Sequence, residues 1–213
     1  MTSFCHRSTS PASITSSDLD RWARDIPMRT GYTYVAALAA ESPHGAAKAR
    51  EWLASSDTTL RVAGWHVVGY LASIDEKSPD DWYAGLLAQI EKSIHSVPND
   101  ERDSMNNAVI AIGGRSAALR KSATGAARRI GKVEIDQGDT SCKTRDALAY
   151  IEKTWAHASA QKFASPAAQE RARERMRTRC QPAVAKASAC VAVGGRKPPD
   201  QMRMTTASGF AVS

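Results

Sequence analysis

The sequence predicts an all-α protein of stacked helical hairpins, an α-α superhelix with disordered termini. Three observations carry this. Ala is abundant, Gly and Pro are modest in number (13 and 9 of 213 residues), and β-branched runs are scarce, a balance that favours helix over sheet. Apolar residues recur at spacings of three, four and seven through several segments, the period of a buried helical stripe. Short polar breaks separate those segments, which makes successive helices antiparallel neighbours.

Taken in order, residues 1–17 read as a disordered leader. A helix starts at Ser17, read as its N-cap, with Asp18 and Asp20 in the first turn, and Pro27 and Gly31 interrupt it. Residues 32–41 are apolar and Ala-rich, and residues 44–55 place Ala47, Trp52 and Leu53 near one face. Asp57 or Thr58 caps the next helix, 59–74, whose Leu60, Ala63, Val67, Val68, Leu71 and Ile74 form one stripe. Ser78, Pro79, Asp80 and Asp81 open a helix running to about His95, with Ser78 at the cap and Trp82, Leu86, Leu87, Ile90 and Ile94 inward. Helices over 100–113 and 116–131 follow, then a long loop over 130–144 and a last firm helix over 144–157. The remainder, 158–213, reads as a basic, mostly disordered tail, in which 158–180 alternates charge as a polar helix does and no sustained period follows Cys180.

Asp57 and Asn99 begin two of these helices, 42 residues apart. That offset lays Val67, Val68 and Tyr70 over Val109, Ile110 and Ile112, and it falls within the range of about 40–47 for HEAT and armadillo units. A single hairpin cannot bury its apolar face alone, so stacking is the expected solution.

The net charge of +7 is local. Residues 1–160 carry 19 basic and 19 acidic side chains, whereas 161–213 carry 10 and 3. The high pI is therefore a property of the tail and does not by itself argue for a DNA-binding body. Four cysteines, Cys5, Cys142, Cys180 and Cys190, form no CxxC pair and read as reduced thiols. The N-terminus lacks the apolar core of a secretory signal, and no apolar run approaches the roughly 20 residues of a membrane span. The expected location is the cytoplasm, on the nucleoid if the protein binds DNA. The loop acids Glu134, Asp136 and Asp139 are not in the order of a calcium loop, so no metal and no cofactor is expected.

Two stretches, EWLASSDTTLRVAGWHVVGYLA (51–72) and MNNAVIAIGGRSAALRKSATGAARRIGKVEIDQGDTSCKTRDALAYIEK (105–153), resemble the DNA alkylation repair family, the HEAT-like DNA glycosylase superfamily. The run GKVEIDQGDTSCKTRDA is the most specific piece, and the likeness spans residues 18–157. It implies a superhelix whose concave basic surface cradles duplex DNA. It also implies excision of cationic N3- or N7-alkylpurines by hydrolysis of the N-glycosidic bond, with an Asp, two Trp and an Arg lining the surface. A cationic base already leaves readily; a carboxylate stabilises the oxocarbenium-like sugar, and Trp faces favour its charge. Carried over to this sequence, Trp22 and Asp25 stand for the first Trp and the Asp, three apart where the family spacing is four. Arg61 stands for the Arg that holds the DNA backbone. The second Trp falls within residues 106–112, where there is no aromatic. The N-terminal half of the family fold is expected to be missing, which leaves a first hairpin without a capping neighbour and suggests self-association there.

Independently of the resemblance, residues 115–132 hold Arg115, Arg120, Lys121, Arg128, Arg129 and Lys132 and no acid. The first five are candidate phosphate contacts, with Arg120/Lys121 and Arg128/Arg129 two turns apart. Two function classes result: a DNA glycosylase using Asp25 and Trp22, and a non-catalytic HEAT-like module that binds DNA or protein.

Overall fold

Every regular element among the described residues of this computed structural model, 11–26 and 29–177, is helical. A 3-10 turn at Pro11–Ser13 leads into α1 (Ser16–Arg24), α2 (Arg29–Glu41), α3 (Gly45–Leu53), α4 (Thr58–Ile74), α5 (Asp80–Ser93), α6 (Asn99–Gly113), α7 (Ala117–Ile130) and α8 (Ala147–Ala160). A further helix covers 166–177. The chain divides into two units, Met1–Glu174 and Arg175–Ser213; of the second only 175–177, the end of that helix, are described.

Within the first unit the helices alternate between two layers. α4 packs against both α2 and α6, and α6 also against α8. In the other layer α5 packs on α7, and α3 covers α4. Asp20 of α1 binds Lys48 and Trp52 of α3, which places α1 in this odd-numbered layer. Four hairpins are thus stacked side by side in the HEAT-like manner.

Local chemistry explains where the helices start. Thr15, not Ser17, caps α1 and accepts from the Asp18 amide. The buried Ile14 and Leu19 flank this cap at the positions of a hydrophobic staple, which orders residues 11–17 that were expected to belong to the leader. Asp57, Ser116 and Asp146 each accept a first-turn amide at the heads of α4, α7 and α8. Ser78 does not cap α5: Pro79 holds that position, and the Ser78 carbonyl is taken by Arg115. Residues 1–10 of the leader and 178–213 of the tail lie outside the described residues.

The repeat is 41 residues rather than 42. α4 and α6 begin at Thr58 and Asn99, after the cap positions Asp57 and Pro98. In this register buried residues superimpose, Leu60 on Glu101, Val67 on Ala108, Val68 on Val109 and Leu71 on Ile112. Asn is the better capping residue by type, but the Asn99 side chain is occupied with the loop, donating to the Asp136 carbonyl and accepting from its amide. Arg61 and Arg102 show the same register. Arg61 donates to the carbonyls of Ser55 and Ser56 beyond α3, and Arg102 to those of Ile94, His95 and Val97 beyond α5. Each guanidinium satisfies carbonyls left open at a helix C-terminus.

The expected tail begins later than residue 158. Ala158 and Ala167 are buried, the Ala167 amide donates to the Gly114 carbonyl, and Arg171 pairs with Glu76 at 3.0 Å. The segment through Glu174 therefore folds back on the C-terminal ends of α4 and α6.

The buried ion pair between α1 and α3 gives a pH test. Lys48, 3% exposed, donates to both Asp20 oxygens at 2.8 and 2.7 Å, and Trp52 Nε1 donates to the same carboxylate. Burial alone would push the Asp20 carboxyl up; the Lys48 and Trp52 hydrogen bonds override it and hold it below the usual range. A lowered folded-state pKa adds stability above the unfolded value of about 4, which is lost as pH falls through the folded one. Asp20→Asn is expected to flatten the loss of urea stability on acidification from about pH 5. An acid limb as steep as that of the wild type would show that Asp20 does not drive it.

Candidate nucleic-acid interface

The basic helix and the residues around it separate by geometry into three groups. Arg115, just before α7, is buried. Its Nε donates to Asp80 at 3.0 Å, and the remaining guanidinium nitrogens donate to the carbonyls of Leu71, Ala72, Asp75 and Ser78. The guanidinium carbon stands 4.4 Å from the centre of the Tyr83 ring. Burial pushes the Tyr83 phenol well up, against the lowering effect of the Arg115 cation. Arg115 therefore closes the α4–α5 turn from inside and is not part of the exposed surface.

Arg120 and Arg129 point to opposite sides of α7. Arg120 pairs with Glu152 of α8 and lies 4.8 Å from the Trp155 ring centre. Arg129 makes two hydrogen bonds to Glu91 of α5, at 2.6 and 2.9 Å, which hold that carboxylate below its usual range. They are nine residues apart, about half a turn out of phase, so each reaches a different neighbouring helix. Lys121 and Arg128 lie between them, seven residues apart, and project outward along one ridge of the odd layer. Neither side chain has a hydrogen-bond or ion-pair partner among the described residues. The pairing of Arg120/Lys121 with Arg128/Arg129 on one face thus narrows to Lys121 and Arg128 as the outward pair, flanked by two ion-paired arginines.

The residues carried over from the family resemblance are not assembled into one site by these contacts. Trp22 packs half-buried against the core from α1, while Asp25 is exposed as the C-cap of the same helix. Arg61 lies in the first turn of α4, in the other layer. Besides the carbonyls it caps, it pairs with Glu101, a carboxylate 3% exposed, at 2.8 Å. That pair joins α4 to α6 and ties the guanidinium down. Val109, Ile110 and Ile112 fill the 106–112 stretch where an aromatic was sought.

A second surface escaped the sequence reading. Tyr150, Lys153 and His157 follow one face of α8, at spacings of three and four, and Arg145 stands just before its cap. Arg145 and Lys153 lie 5.5 and 5.8 Å from the Tyr150 ring centre. The spacing is visible in the sequence, but only the packing of Ile151 and Trp155 into the core shows that the Tyr150 face is outward. Among the described residues no three His, Cys, Asp or Glu are grouped to hold a metal, and no helix is long and apolar enough to cross a membrane.

Stacked hairpins with a 41-residue register define this chain as a HEAT-like repeat protein. No family model matches it. Uncharacterized proteins of Listeria innocua serovar 6a and Listeria monocytogenes serovar 1/2a are each 26% identical over 148 residues, 67% of this chain and 62% of theirs. A solved structure reported as "a new family of proteins related to the HEAT-like repeat DNA glycosylases with affinity for branched DNA structures" superimposes with a TM-score of 0.61 at 24% identity. That match covers 70% of this chain and 65% of the other. The chain therefore spans less than two thirds of the length of the relatives it matches.

Arg115→Ala is expected to cost about 3 kcal/mol, since four carbonyls and Asp80 lose their donor together. Lys121→Ala and Arg128→Ala are expected to stay within about 0.5 kcal/mol of the wild type. Chemical denaturation of the three variants checks this ordering, and an equal loss in all three would refute the division into structural and outward cations.

Proposed function

We propose that this protein is a HEAT-like DNA-binding module that holds the phosphate backbone through the outward ridge of α7. The observation that carries the reading is the pair Lys121 and Arg128, about 10 Å apart along the helix and without internal partners. Arg120 and Arg129 flank them and can exchange their solvent-accessible carboxylate partners for phosphates, because ion pairs open to solvent contribute little. Lysines and arginines held only by solvent are the groups that release counterions when they meet a polyanion. The structural likeness to a protein with affinity for branched DNA supports the same ligand class. Duplex DNA and branched DNA are both within this reading, and association with the nucleoid follows from it.

The test is fluorescence anisotropy on the full chain across about 50 to 200 mM salt. Affinity is expected to fall steeply with salt, and the double variant Lys121→Ala/Arg128→Ala to reduce the log–log slope by about 2, uniformly across sequences. A slope unchanged by the double variant sinks the ridge as the contact.

Excision is the second reading, supported by Asp25 being an exposed carboxylate one helical turn from Trp22. Here Asp25 would position water and stabilise the sugar cation, with Trp22 and Arg61 in support. Release of free alkylpurine from methylated duplex by the wild type and its loss in Asp25→Asn would establish a glycosylase. A folded wild type that releases nothing leaves the binding module alone.

A further inference from the structure

We infer that the exposed face of α8 is a subsite for an unpaired nucleotide, with Tyr150 as the platform for its base and Arg145 and Lys153 as the contacts for its phosphates. The inference rests on the DNA-binding reading, but on other residues and another helix. Tyr150 is 36% exposed although it sits on a helix whose Ile151 and Trp155 are buried. A large aromatic left at the surface between two cations meets both needs of a single-stranded nucleotide, a π-face for the base and positive charge for the backbone.

The Tyr150 ring is covered less closely than the rings of Trp82 and Tyr83. Where arginines in this protein close over an aromatic face, as Arg50 does on Trp82 and Arg115 on Tyr83, the cation stands 4.4 Å from the ring centre. Arg145 and Lys153 stand over the Tyr150 ring at 5.5 and 5.8 Å from its centre, more than 1 Å farther out. Arg145 is held in position: its Nη1 donates to Asn107 at 2.8 Å, and its carbonyl accepts from Asn106 at 2.9 Å. Lys153 has no ion-pair partner among the described residues.

The acids nearby have partners of their own. Asp146 caps α8 through the Ala149 amide, Asp103 accepts from Asn107, and Glu152 is turned to Arg120 on α7. Along its exposed face α8 therefore presents Tyr150, Lys153 and His157 with no carboxylate among them. A base inside a duplex hides its faces in the stack, so a protruding Tyr distinguishes unpaired nucleotides from paired ones. Stacking of this kind is sequence-tolerant, since every base has a π-face.

The experiment compares the full chain on two DNAs, a plain duplex and a forked duplex carrying 2-aminopurine in an unpaired arm beside the branch. The wild type is expected to prefer the fork and to quench the 2-aminopurine emission. Tyr150→Ala should weaken fork binding about tenfold, leave duplex binding unchanged and abolish the quenching. Tyr150→Phe should retain all three properties, and Lys153→Gln should lower the salt slope on the fork by about 1. Equal affinity of the wild type for the two DNAs overturns the inference. So does a Tyr150→Ala variant, helical by circular dichroism, that leaves the fork preference intact. Duplex binding that persists in such a variant and responds to Lys121→Ala/Arg128→Ala would leave the ridge reading standing alone. A Tyr150 effect with no response to the ridge variant would do the reverse, and no DNA binding at all removes both.

Discussion

Burial of α4 is the constraint on which the rest of the molecule is arranged. The helix is apolar on most sides, with Leu60, Val62, Ala63, Trp65, Val67, Val68, Leu71 and Ala72 all buried. Such a helix has to be wrapped on several sides. α2 and α6 flank it within its own layer, α3 covers it from the other, and α1 adds a contact. Gly64 lets α3 come close: a Cβ there would sit 3.2 Å from the Leu53 amide nitrogen and the Trp52 Cβ. The Arg61–Glu101 pair then stitches α4 to α6, so the core and the repeat register are set at one place.

The arginines show how one residue type takes different roles through its surroundings. Arg61, Arg102 and Arg115 each bind carbonyls that a helix end leaves open, and they hold turns together. Arg120 and Arg129 brace α7 against its two neighbours. Only outward-facing cations such as Lys121 and Arg128 are left for a partner. The charge of 115–132 is uniform in sequence and divided in space, because consecutive side chains on a helix are rotated by about 100°.

Two surfaces result, facing differently. The ridge of α7 lies on the outer side of the odd layer and offers charge alone. The stripe of α8 belongs to the even layer and adds an aromatic ring. A polyanion is attracted by either, but the second also discriminates by the form of the nucleic acid.

The order of α1 to α8, the cap at Asp57 and the stripe of α4 were legible in the sequence because they depend on neighbours within a turn or two. The repeat was legible to within one residue; matching Asp57 to Asn99 by capping preference missed that Asn99 is bound by the loop at Asp136, a contact 37 residues away. The fate of each cation was not legible. Whether an Arg is tied to carbonyls, paired or free depends on which helix lies beside it, and carboxylates 32 or more residues apart in the chain decide that for Arg61, Arg115, Arg120 and Arg129 alike. The sequence by itself determined an all-helical stack, through apolar period and capping chemistry, both local. Tertiary structure alone decided which charged and aromatic groups face solvent, because that follows from packing between helices.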